Sequence, residues 1–179
     1  MIIGVTGYAQ SGKDTVAQFL IDHHGFERVA FADPIREMLY EMDPVIPSNE
    51  DVYSLRVLVD SLGWEAAKRE PEVRRLLQEL GVSARLIVDE NIWITVAAKK
   101  MYDPEKNYVI TDVRFENEAA AVKIMGGQLW RIKRSGVGPV NEHISEMELD
   151  AIKVDQILLN NGSLEDLQEL ITTRMGVAV

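Results

Sequence analysis

The 179-residue chain has no cysteine, which excludes disulfides and thiolate metal sites from the start. Although 46% of its residues are hydrophobic, no apolar run approaches the roughly 20 residues that span a bilayer. The opening "MIIGVTG" lacks a basic start and runs straight into glycine, so no secretory leader is expected and the chain reads as a soluble cytoplasmic protein. Positive charge is also scarce. With 19 Lys and Arg against 29 Asp and Glu, the net charge of −10 argues against broad nucleic-acid or membrane-surface contact, and an anionic ligand would need a focused pocket. There is no internal repeat and no low-complexity tract.

What is present is alternation. Residues 2 to 6, "IIGVT", form a short apolar run suited to a buried parallel strand. From Lys13 onward, Val16, Ala17, Phe19, Leu20 and Ile21 give a helix a broad apolar face, and Gly25 is placed to stop it. "FERVAFA", 26 to 32, reads as a second strand, with Asp33 and Pro34 as cap and first turn of a helix reaching about Met42. The two prolines of "DPVIPSNE" mark the edge of an insertion, so residues 44 to 103 are expected to be helical, with Gly81 and Asp89 as stop and start signals. Strands at 108–114, 128–134 and 155–160 then alternate with helices near 118–125 and after Ser163. Such alternation predicts one α/β domain: a mostly parallel five-stranded sheet in three layers, carrying a helical insertion.

Between the first strand and helix lies "GYAQSGKDT", Gly7 to Thr15. Its frame Gly7-x4-Gly12-Lys13 is that of a phosphate-binding loop, in which glycines let successive N–H groups converge on phosphates, the lysine adds a mobile charge, and the helix start is electropositive. The candidate phosphate contacts are therefore Gly7, Ala9, Gln10, Ser11, Gly12, Lys13, Asp14 and Thr15. The usual pattern puts Ser or Thr directly after the lysine, whereas this chain has Asp14 there and Thr15 next. An acid suits the first helical turn, yet a carboxylate about 4 Å from a phosphate would be repelled by several kcal/mol. Asp14 must therefore turn away, or be bridged by Mg²⁺ waters or by an arginine near the acceptor. Thr15 can supply the hydroxyl for Mg²⁺.

Ligands of open α/β sheets bind beyond the carboxyl ends of the strands. "YVITDVR" puts Asp112 and Arg114 at such an end, on the same side of an extended segment, so the acid would face Mg²⁺ and the arginine the transferring phosphoryl. Arg134 leaves the strand "LWRIKR" into a glycine-containing segment suited to a lid, whereas Arg131 reads as partly buried and structural. Trp64, Trp93 and Trp130 read as packing residues, and His23 and His24 as helix-end residues rather than metal ligands.

Together "GKDT", "FADPIRE", "LLQELG…R", "TDVRFENE" and "HISE" resemble bacteriophage-type deoxynucleoside monophosphate kinases of the P-loop nucleoside monophosphate kinase superfamily, over Ile3 to about Glu146. The resemblance implies ATP and Mg²⁺ at the loop, an acceptor-binding insertion at 44–103, and a short lid at 134–150 whose Arg134 closes over the ATP phosphates. It further implies Asp33, Arg36, Gln78, Arg85, Arg114 and Glu118 at the acceptor, with Arg36 on its phosphate and Gln78 reading a base edge, and it places His143 and Glu146 near the nucleotide. The implied location is a host cytoplasm if the gene is phage-borne, with nucleotides as partners, no nucleic acid or membrane, and a homodimer left open. Two rivals remain: a kinase of another small molecule, of dephospho-coenzyme A or phosphomevalonate type, and an ATP-binding switch that phosphorylates nothing.

Overall fold

A computed structural model describes residues 1–47, 52–138 and 148–176. The chain divides into two compact units, one made of Met1–Ala30 with Ala97–Val179 and the other of Phe31–Val96.

In the first unit the strands are β1 (Ile2–Thr6), β2 (Phe26–Val29), β5 (Asn107–Ile110), β6 (Gln128–Lys133) and β7 (Gln156–Leu159), in the spatial order β2-β5-β1-β6-β7. Every pairing in this sheet is parallel. β1 lies at the centre and is buried along four of its five residues, which explains its continuous apolar run. Helix α1 (Lys13–His24) packs Val16, Ala17 and Leu20 into a core with Val5, Trp130, Ile132 and Leu158. Helix α8 (Leu164–Arg174) adds Leu167 and Ile171 to that core, and α7 (Glu116–Ile124) buries Ala119 and Val122. Leu20 is fully buried, so Leu20→Ala would cost about 2–5 kcal/mol. Gly25 ends α1 in the left-handed region at φ 68°, its N–H donating to the Leu20 carbonyl.

The chain leaves β1 for β2 on one side of the sheet and leaves β6 for β7 on the other. The carboxyl end of β1 therefore lies where the direction of winding reverses, the place at which open α/β sheets take ligands. Two strands are shorter than the apolar pattern suggests, since β2 stops at Val29 and β5 at Ile110. Past β5 the backbone nonetheless stays strapped to its neighbours, with Thr111 N–H donating to the Val29 carbonyl (3.1 Å) and Val113 N–H to the Val5 carbonyl (3.2 Å).

The second unit contains α2 (Asp33–Met42), a hairpin of β3 (Val45–Pro47) and β4 (Val52–Ser54), then α3 (Leu55–Leu62), α4 (Trp64–Ala67), α5 (Pro71–Ile87) and the first turns of α6 (Ile92–Lys100). Leu39, Ile46, Leu55, Val59, Ala67 and Val73 form its core. Arg56 ties α2 to α3: its guanidinium donates to the Tyr40 and Glu41 carbonyls, which an ending helix leaves without partners.

Three expectations need correction. The stretch 44–103 is not helical throughout, because the proline-bearing segment and Val52 form the antiparallel β3–β4 pair and the helix begins only at Leu55, capped by the Ser54 hydroxyl. Gly81 does not end a helix. It lies buried inside α5, where a Cβ would come within 3.1 Å of Ile35 Cδ1 and where its carbonyl accepts from Trp93 Nε1 at 2.9 Å. Finally, Ala32 rather than Asp33 is the N-cap of α2, and Asp33 and Pro34 occupy the first helical positions. Among the described residues, no helix is long and apolar enough to cross a membrane.

Candidate functional site

The loop from Gly7 to Gly12 turns on three residues with positive φ: Gly7 at 146°, Gln10 at 65° and Gly12 at 100°. Ser11 N–H donates to the Tyr8 carbonyl at 3.2 Å, closing a turn whose third residue, Gln10, takes the left-handed conformation such a turn requires. Gly7 permits a close approach, because a Cβ there would lie 2.6 Å from the Ile132 carbonyl oxygen. The loop is thus pressed against β6 by backbone geometry that side chains would prevent.

Gly12 is the N-cap of α1, and no side chain caps this end. The leading N–H groups of α1 have no intrahelical acceptor, which leaves an electropositive helix start at the carboxyl end of the central strand. Two buried hydroxyls lie beside it without a hydrogen-bond partner, Thr6 Oγ1 and Ser11 Oγ. An uncapped helix start, a glycine loop with three positive φ angles and two unpartnered hydroxyls fit a bound polyphosphate.

Lys13 opens α1 with its side chain largely enclosed, at 12% exposure, whereas the Asp14 side chain is 86% exposed. Asp14 Oδ2 lies 3.9 Å from Lys13 Nζ. The acid thus takes the outward course, held in water beside a cation and at the favourable end of the helix dipole. Thr15 is exposed on the same first turn.

Beyond β5, Thr111 and Val113 are buried while Asp112 and Arg114 are partly exposed, the alternation expected of an extended segment. The Arg114 backbone is fixed by Glu118, which is buried at 3% exposure and accepts from Arg114 N–H (2.8 Å) and Phe115 N–H (3.1 Å). Glu118 therefore binds the start of α7 and sets where Arg114 begins.

Arg131 donates to the Leu149 and Ile152 carbonyls, both at 2.6 Å, in keeping with a structural role. Arg134 is exposed immediately after β6 and opens a turn closed by Val137 N–H on its carbonyl at 3.1 Å. Most of the expected lid, together with His143 and Glu146, lies outside the described residues. Trp93 and Trp130 are core residues at 3% and 1% exposure.

In the second unit, Arg36 lies 3.5 Å from Glu65 Oε1, with its Cζ 6.0 Å from the centre of the Trp64 ring. Its neighbour Ile35 meets α5 at Gly81. Gln78 and Arg85, three residues before and four after Gly81, share that face of α5 and are partly buried. Asp33 lies a turn before Arg36 on α2.

Sequence reasoning missed Asn160, which contacts the loop through its side-chain amide, Nδ2 donating to the Ser11 carbonyl at 2.9 Å. It also missed Tyr8, whose hydroxyl donates to Asp150 Oδ2 at 2.7 Å. Separations of 149 and 142 residues left no local pattern to find them by.

The family model for deoxynucleotide monophosphate kinase matches residues 64–171. A protein of Acanthamoeba polyphaga mimivirus that carries this name provisionally is 32% identical over 96% of this chain and 94% of its own. The deoxynucleotide monophosphate kinase of Enterobacteria phage T4 is 24% identical over 98% of this chain and 99% of its own. Among solved structures, TT1252 from Thermus thermophilus has the same fold, with a TM-score of 0.51 and 17% identity over 100% of this chain and 98% of its own. The match spans α5, the segment carrying Arg114 and the β6–β7 edge beside the loop, and on this ground the chain belongs to the deoxynucleotide monophosphate kinase family.

Proposed function

We propose that the chain transfers the γ-phosphoryl group of ATP to a deoxynucleoside monophosphate, giving ADP and the diphosphate. The observation that carries this reading is the uncapped start of α1 behind a glycine loop at the sheet's winding reversal, in a chain of this family. The first unit takes ATP: the loop N–H groups bind its phosphates, with Lys13 placed for the β and γ oxygens.

The acceptor phosphate is already ionised near neutral pH, so positioned positive charge matters more than a general base. Arg114 would meet the transferring group from the rim beyond β5, and Arg134 would neutralise phosphate charge from beyond β6. Asp14 offsets Lys13 at the mouth of the loop. The second unit takes the monophosphate, with Arg36 and Arg85 for its phosphate, Gln78 for a base edge, and Asp33 at the start of α2.

Mg²⁺ fits the donors available. Among the described residues no group of three His, Cys, Asp or Glu side chains could hold a metal alone, and Mg²⁺ at phosphates keeps waters and takes one or two protein oxygens. Thr15 Oγ1 and Asp112 would supply them, directly or through water, and the ion would neutralise charge on the transferring phosphoryl.

A coupled ADP-release assay over the common deoxyribo- and ribonucleoside monophosphates tests the reading. The expected result is ADP production that depends on at least one deoxynucleoside monophosphate. ADP release confined to dephospho-coenzyme A or phosphomevalonate, or ATP binding without acceptor-dependent turnover, would overturn it.

A further inference from the structure

The phosphate loop must present N–H groups at fixed angles. The turn bond from Ser11 N–H to the Tyr8 carbonyl closes ahead of the following peptide, between Ser11 and Gly12. Gly12 has φ 100° and no side chain, the kind of residue about which a peptide plane turns easily. Support arrives from β7. Asn160 N–H extends the β6–β7 ladder by donating to the Lys133 carbonyl at 2.7 Å, and its side-chain Nδ2 donates to the Ser11 carbonyl at 2.9 Å. The same Nδ2 stands 2.2 Å from where a Gly12 Cβ would be, so the amide fills the space that the glycine leaves.

We infer that Asn160 is a positioning residue for ATP, orienting the Gly12 N–H by holding the carbonyl of the same peptide. In a trans peptide the C=O and N–H point in opposite directions. Securing the Ser11 oxygen toward Asn160 therefore aims the Gly12 N–H away from Asn160, as a donor for phosphate. Were this peptide to turn over, it would present oxygen where the loop needs a proton. Asn161 makes a related contact, its Oδ1 accepting from Ser135 N–H at 2.8 Å, so the end of β7 also fixes the backbone immediately after Arg134. The inference rests on the ATP-binding reading above and adds the residue that keeps the loop in register.

Asn160→Ala and the isosteric Asn160→Asp test it in the full chain. ADP affinity by calorimetry, Michaelis constants for ATP and acceptor, and the ¹⁵N–¹H signal of Gly12 are the measurements. Asn160→Ala is expected to weaken ADP binding and raise the ATP KM about tenfold, equivalent to about 1.4 kcal/mol, with the acceptor KM within about twofold of the unmodified protein. Asn160→Asp should weaken ADP binding further, because an acceptor oxygen would then face the Ser11 carbonyl. In both variants the Gly12 signal should move in the nucleotide-free protein and respond less to ADP. ADP affinity within twofold of normal in Asn160→Ala, or equal rises of both Michaelis constants with an unmoved Gly12 signal, would overturn the positioning role while leaving the kinase reading intact. Failure of the unmodified protein to bind ADP would overturn that reading, and the inference with it.

Discussion

The two units offer a phosphate different kinds of candidate site. In the unit of residues 1–30 and 97–179 the candidate ATP site is largely backbone: three positive φ angles, an uncapped helix start and one enclosed lysine. In Phe31–Val96 the candidate acceptor site is side chains on two helices, with Arg36 between Glu65 and Trp64, and Gln78 and Arg85 flanking Gly81. A backbone site reads the charge and shape common to all phosphates, and its geometry follows from where glycines fall. A side-chain site can discriminate, because hydrogen-bonding groups left without partners penalise the wrong ligand. The difference suits an enzyme with a common phosphoryl donor and a selected acceptor.

The sharpest way to break this comparison is at Lys13, the enclosed cation of the backbone site. Lys13→Ala should lower kcat about a hundredfold to a thousandfold with circular dichroism and melting temperature unchanged. Near-normal turnover in the folded variant would remove the phosphate-loop assignment. At the rim beyond β5, Arg114→Ala should lower kcat about tenfold to a hundredfold, and Arg114→Lys should restore only part of it, because an ammonium cannot reproduce the guanidinium's planar fork. Full recovery by lysine would mean that charge alone matters there.

In the second unit, Arg85→Ala should raise the acceptor KM about tenfold and leave the ATP KM within twofold, read from matched saturation curves for each substrate. Equal effects on both would erase the distinction between the units.

The smallest effect concerns stability in the first unit. The Asp155 carboxylate accepts from Lys123 Nζ at 2.7 and 2.9 Å and from Leu129 N–H at 2.7 Å, which lowers its pKa below the usual carboxylate value. Because the folded pKa is depressed, this stabilisation is complete above the unfolded value of about 3.9 and is lost as pH falls through the folded value. Asp155→Asn should cost about 1 kcal/mol at neutral pH, given the partial exposure of the pair, and lower the melting temperature by about 2–4 °C. Below about pH 4 the difference should shrink, and a constant difference down to pH 2 would rule out the carboxylate as its source.

The same contrast between units governed what the sequence made legible. Glycine spacing, a buried apolar run and helix periodicity announce a phosphate loop because each is a local rule, and β1, the loop and α1 stand where those rules put them. In the helical unit the local rules misled. Gly81 reads as a stop, but tight packing on Ile35 and the bond from Trp93 make glycine useful in mid-helix, and α5 runs on to Ile87. The β3–β4 pair is three residues a side, too short for alternation to declare itself. Asp33 looked like a cap because Asp-Pro favours helix entry, yet the helix begins one residue earlier in register, behind Ala32. Asn160 was invisible for another reason: its partner is set by the β6–β7 pairing, which brings the chain's last strand beside its first loop.

Hydrogen exchange in the intact chain tests most directly the division of labour between the two units. A nonhydrolysable ATP analogue alone should protect amides within residues 7–16 and leave Phe31–Val96 near its unliganded rate. Addition of a deoxynucleoside monophosphate that supports turnover should then protect Phe31–Val96, most strongly along α5 between Gln78 and Arg85. If no monophosphate slows exchange in that segment, with or without the analogue, or if the acceptor protects only residues 7–16, the acceptor does not bind there and the account fails.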